Sequence, residues 1–116
     1  MMKAYQVVVF GALIVAQAFG AASPTFSWIK KNIFQTRCAT TCHQATNSDG
    51  NVDLTSYQGL MTSEGMLEKP VVPGAPEQSG IWIQTHQKTM PKSGETLTDE
   101  EIQAVFDWIK DGAKEN

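Results

Sequence analysis

The sequence holds only two cysteines, and both fall within the short segment Cys38-Ala39-Thr40-Thr41-Cys42-His43. A framework of several disulfides is therefore excluded. One bridge between these two would close only a small loop and leave His43 without a role. No further cysteine and no H-x₃₋₅-H pair follows, so a zinc site would lack its second pair of ligands, even with His86 as a third. Basic residues are scarce as well, nine against twelve Asp and Glu, for a formal net charge of −3. Nucleic acid wants a basic face, so this balance argues against it as a partner. Internal repeats and low-complexity tracts are absent, and the long apolar run is confined to the first 22 residues.

That run reads as a secretory signal over residues 1–22. Lys3 supplies the positive start, Val7 to Ala16 the apolar stretch, and Ala18, Gly20, Ala21 and Ala22 a small-residue cleavage zone. The uncharged stretch from Ala4 to Ala22 approaches the ~20 apolar residues that cross a bilayer, which keeps an uncleaved anchor as the alternative. Cleavage would remove Lys3, leave eight basic residues against twelve acidic ones, and take the charge to −4. The remainder, residues 23–116, reads as one small domain. A domain of this size needs a staple or a cofactor to complete its core.

Helical spacing recurs through that domain. Ser23 and Pro24 are placed to cap and open a helix carrying Phe26, Ile29, Ile33 and Phe34 on one face, with Lys30, Lys31 and Asn32 opposite. Asn47-Ser48-Asp49-Gly50 is turn chemistry. Leu54, Tyr57, Leu60 and Met61 follow at helical spacing, with Asp53 or Thr55 as the expected cap. Three prolines between Pro70 and Pro76 force an extended loop. Pro76 is placed to open a helix through Glu77, Ile81, Trp82 and His86. The clearest helix comes last. Thr98 and Glu101 form a capping box, Leu97 and Ile102 a hydrophobic staple, and Gly112 a stop. Three or four short helices with long loops make the expected fold all-α.

Two thiols and an adjacent imidazole on one segment suit covalent haem attachment. The thiols add to the two vinyl groups along one haem edge, and the following histidine reaches the iron. The usual signature is C-x-x-C-H; here one more residue separates the cysteines. The Cys42–His43 adjacency is intact, and residues four apart on a helical turn still share a face. A second axial ligand is available from Met61, Met66, Met90 or His86. Met90 is favoured because Pro91 stiffens its loop and because it lies far enough along the chain to return on the opposite haem face. His86 is the runner-up. The choice matters, since Met/His ligation raises the reduction potential. Trp28, Trp82, Phe106 and Trp108 are candidates to line the pocket, and Trp82 or Trp28 to bond a propionate.

With these residues in view, the chain resembles the class I c-type cytochromes, specifically the small planctomycete-type monohaem cytochrome c domain. Four stretches carry the resemblance: Cys38–His43; Val72-Pro73-Gly74-Ala75-Pro76-Glu77-Gln78-Ser79; Met90-Pro91; and Leu97–Ile102 continuing through Trp108–Ala113. The resemblance implies that Cys38 and Cys42 carry the thioethers of one haem c, that His43 is the proximal iron ligand and Met90 the distal one. It also implies that the first and last helices cross beside the haem. Two departures stand out. Three residues rather than two separate the cysteines, which leaves both two thioethers and one open, and Ala75 replaces the capping residue expected before Pro76.

The implied function is a periplasmic or otherwise exported, monomeric electron carrier that meets redox partner proteins and touches a membrane only through an uncleaved residue 1–22 segment. It would not be an enzyme. A haem-based sensor or peroxidase-like protein and a cofactor-free disulfide module are the competing readings.

Overall fold

The computed structural model describes residues 24–38, 42–44, 49–92 and 94–116. The signal or anchor segment 1–22 and the expected cap Ser23 lie outside the described residues. The first helix, α1 (Phe26–Ile29), is capped by Thr25, whose hydroxyl accepts from the Trp28 amide at 3.1 Å. Pro24 thus precedes the cap instead of opening the helix, a two-residue displacement from expectation. From Lys30 to Cys38 the same helix continues with wider, π-type turns. Side chains take up carbonyls along it: Asn32 Nδ2 donates to Trp28 O at 2.8 Å and Thr36 Oγ1 to Asn32 O at 2.7 Å. Such back-bonding competes with regular α-helical pairing and favours a local change of pitch.

A 3₁₀ turn at Asp49–Asn51, with Gly50 at φ 65°, leads to α2 (Tyr57–Thr62). Ser56 caps α2 by accepting from Gly59 N–H at 2.9 Å. The expected caps are otherwise engaged: Asp53 Oδ1 accepts from both the amide and the hydroxyl of Thr55, at 2.9 and 2.6 Å. The helix expected from Pro76 is split into a 3₁₀ turn (Pro76–Gln78) and α3 (Gly80–His86). Ala75 makes no side-chain cap. Ser79, fully buried, compensates by donating to Ala75 O at 2.9 Å and accepting from Val72 N–H at 2.8 Å. One hydroxyl thereby ties the proline-rich loop to the start of α3.

The last helix, α4 (Asp99–Lys110), has the expected capping box, with Glu101 N–H donating to Thr98 Oγ1 at 3.2 Å and Thr98 N–H to Glu101 Oε2 at 2.9 Å. It ends in a Schellman motif. Gly112 N–H reaches Ile109 O and Ala113 N–H reaches Trp108 O, both at 2.9 Å, with Gly112 at φ 106°. No strand occurs among the described residues, so the fold is the expected all-α arrangement.

The core joins the two ends of the domain. Phe26, Ile29, Ile33 and Phe34 pack with Leu97, Ile102, Val105, Trp108 and Ile109, and Leu54, Leu60 and Val71 complete the cluster. Phe26 meets Trp108 at 5.7 Å between ring centroids and Tyr57 edge-on at 5.2 Å. Burying each of these large side chains is worth about 1.5–3 kcal/mol. Polar ties reinforce the same contact. Asn116 accepts the otherwise unpaired first-turn amides of α1, from Phe26 through Oδ1 at 2.9 Å and from Ser27 through its main-chain oxygen at 3.0 Å.

Candidate functional site: the Cys38–His43 segment and its supports

Cys38 is the last residue of the π-type stretch, placed on the core face by its spacing of four from Phe34 and five from Ile33, and it packs against the core cluster. Burial pushes its thiol up from 9.0 to about 11, against a smaller opposing pull from the Arg37 guanidinium. The thiol is therefore the resident form at neutral pH. Cys42 is half-buried, and the two sulfurs are not bonded to each other. The segment closes on itself through His43 N–H donating to Cys38 O at 3.2 Å.

The His43 ring is oriented from the far side of the turn. Its Nδ1 lies 3.1 Å from Val52 O, so the ring carries its proton there and leaves Nε2 with a lone pair for a metal. Leu54 N–H donates to His43 O at 3.0 Å, so residues 52 and 54 hold both the side chain and the main chain of the histidine. The intervening residue is itself fixed: Asp53 N–H donates to Ser63 Oγ at 2.9 Å, and Ser63 Oγ donates to Gly59 O at 2.6 Å. A Cβ at Gly59 would meet the Asp53 carboxyl carbon at 2.7 Å, so any side chain there would have to displace that carboxylate. None of Val52, Asp53 and Ser63 stood out as supports in the sequence, since main-chain acceptors and lone hydroxyls leave no periodic signal.

The end of the π-type stretch is also tied to α4. Arg37 Nη1 bonds Glu101 Oε2 at 2.8 Å and Thr96 O at 3.2 Å, and the Glu101 oxygen is the one that completes the capping box. The end of the π-type stretch and the last helix therefore share one polar junction.

Among the other candidate residues, Met90 is half-buried in the loop after α3, its amide donating to Gln84 O at 3.2 Å. His86 ends α3 on the surface and stacks on Trp82 at 4.5 Å. Met61 packs against the core, whereas Met66 is 75% exposed. Trp82 meets Phe106 edge-on at 5.4 Å. Trp108 is buried between the helices, its indole N–H committed to Lys114 O at 2.9 Å, and Trp28 is 44% exposed.

These residues fit a covalently held haem. A histidine with Nδ1 paired to a carbonyl, directly after a cysteine and close by a second thiol, is a donor set for one iron porphyrin. Among the described residues no three His, Cys, Asp or Glu side chains gather as a metal-binding cluster.

An all-α domain with such a segment resembles the small c-type cytochromes. The sequence comparison points the same way: residues 39–94 match the family model of the planctomycete cytochrome C. The matched span includes Cys42, His43 and Met90 and begins one residue after Cys38. No curated protein and no solved structure matches the chain. The family brings haem-based electron transfer as its general chemistry.

Proposed function

We propose that the protein is an exported monohaem cytochrome c that carries single electrons between redox partner proteins. The observation that carries this reading is the His43 ring, held through Nδ1 by Val52 O directly after Cys42, within a cytochrome c family span. When bound, a haem supplies a one-electron iron couple. The chain's own residues do the rest. Cys38, Cys42 and His43 would hold the group, and the Val52 carbonyl keeps the ring in one orientation and raises its basicity. Met90 is proposed as the distal ligand, with His86 as runner-up. The buried face of Ile29, Ile33 and Phe34 keeps water from the site.

A site ligated on both faces has no open position, which separates a carrier from a sensor or a peroxidase-like protein. The test is carbon monoxide added to the reduced, haem-loaded protein. Slow, weak binding at neutral pH is expected, along with a methionine-to-iron charge-transfer band in the oxidised form. Met90→Ala should abolish that band and admit the gas, whereas His86→Ala should leave both unchanged. A band that survives Met90→Ala removes Met90 as ligand, and rapid binding by the unmutated protein removes the carrier reading.

A further inference from the structure

The charges of this chain are segregated along its length. Residues 24–48 hold Lys30, Lys31 and Arg37 and no acidic residue, whereas all twelve Asp and Glu lie between Asp49 and Glu115, against five lysines. Within the basic stretch, Arg37 is already paired with Glu101, and neither Lys30 nor Lys31 joins an ion pair among the described residues. The helix that carries them has two faces. Phe26, Ile29, Ile33 and Phe34 are buried, while Trp28 is 44% exposed and Lys31 and Asn32 are exposed beside it. Spacings of three and four put these outward residues on one stripe, and half-buried Lys30 flanks it. Asn32 Nδ2 donates to Trp28 O at 2.8 Å, and Thr36 Oγ1 donates to Asn32 O at 2.7 Å. These polar side chains are committed to main-chain carbonyls, which leaves an indole and two ammonium groups as what the stripe offers a partner.

An exposed tryptophan beside unpaired lysines suits a membrane–water interface. The indole sits at the level of the headgroups, and the lysines reach anionic phosphates while their stems lie along apolar surface. The place in the chain agrees. The uncharged run Ala4–Ala22 ends four residues before Phe26, and four residues span at most about 14 Å. We propose that the outward face of the first helix, Trp28 with Lys30 and Lys31, rests on a lipid surface bearing anionic headgroups. The acidic remainder of the domain is repelled by the same surface and turns away from it, so the contact sets one orientation. Each lysine near such a surface is worth a factor of about five in affinity, and the two together about thirty-fold. The contact therefore orients the domain rather than anchoring it. No residue of the Cys38–His43 segment takes part, so the inference goes beyond the electron-carrier reading and does not depend on it.

The test uses the full chain as an exporting host delivers it, whether or not residues 1–22 are retained, with excess phosphatidylcholine vesicles that contain or lack phosphatidylglycerol. Lysine acetylation followed by mass spectrometry reads the contact in either form. With phosphatidylglycerol present, Lys30 and Lys31 should be labelled several-fold more slowly than in solution, while Lys88, Lys92, Lys110 and Lys114, exposed on the rest of the domain, keep their solution rates. Molar salt, which cuts the screening length to about 3 Å, should remove the protection. Trp28→Ser should lose most of it with unchanged far-UV helical dichroism, because the helix uses the main chain of Trp28. Leu67→Ser, which removes an 84%-exposed apolar side chain elsewhere, should change nothing. Equal protection on neutral vesicles, protection spread over all the lysines, or solution rates at Lys30 and Lys31 overturns the proposal. If polyglutamate protects the two lysines as well as the vesicles do and Trp28→Ser has no effect, the patch belongs to an acidic protein partner and the lipid assignment falls.

Discussion

The geometry of His43 is set by atoms that belong to other residues. Its ring is oriented by a main-chain oxygen, and the segment carrying that oxygen is held by the Ser63 hydroxyl. Ser63→Ala would leave the Asp53 amide without its bond. The expected cost is about 1–2 kcal/mol, read as a lower urea midpoint of the haem-loaded protein. A lower reduction potential or a broadened spectrum should accompany it if the histidine ring gains freedom. Loss of stability with unchanged spectra would assign Ser63 to packing alone. At this scale the sequence was half legible. The Cys42–His43 adjacency is local and stands out, whereas Val52 acts through a carbonyl that every residue possesses. Asp53 offered itself as a helix cap, and only the fold turns it toward Thr55 and Ser63, leaving Ser56 to cap α2.

The elements repeat this division. The α4 signals were readable because each lies within a few residues of its partner: Thr98 with Glu101, Leu97 with Ile102, and Gly112 just past the end. Thr98→Ala should cost about 1 kcal/mol in a denaturant titration. Gly112→Ala should cost a similar ~1 kcal/mol, because its φ of 106° suits only glycine. By contrast, the π-type pitch after Ile29 keeps Phe26, Ile29, Ile33 and Phe34 buried just as an α-helix would. The hydrophobic spacing therefore predicts the buried face but is blind to the pitch. The break between Pro76–Gln78 and α3 depends on the buried Ser79 hydroxyl, whose partners in the proline loop no periodicity reveals.

Across the whole molecule, the first and last helices, whose crossing beside a haem the family resemblance implied, are in contact through Phe26 and Trp108. Trp108→Ala should cost about 3–5 kcal/mol, comparable to the entire margin of a small domain. Its expected readout is loss of cooperative unfolding rather than a shifted midpoint. A haem would add apolar surface to this modest core. The chain produced without haem should accordingly show weakened far-UV helical dichroism and rapid proteolysis, and attachment should restore both. Equal protease resistance with and without haem would show that the polypeptide core suffices.

The clasp of Asn116 on Phe26 and Ser27 brings the front of the domain within hydrogen-bonding distance of its rear, so the order of the secondary-structure elements is open to rewiring. A short glycine-serine bridge from Asn116 to Pro24, with the chain reopened at the 84%-exposed Leu67, should give a circular permutant that still colours and still folds cooperatively.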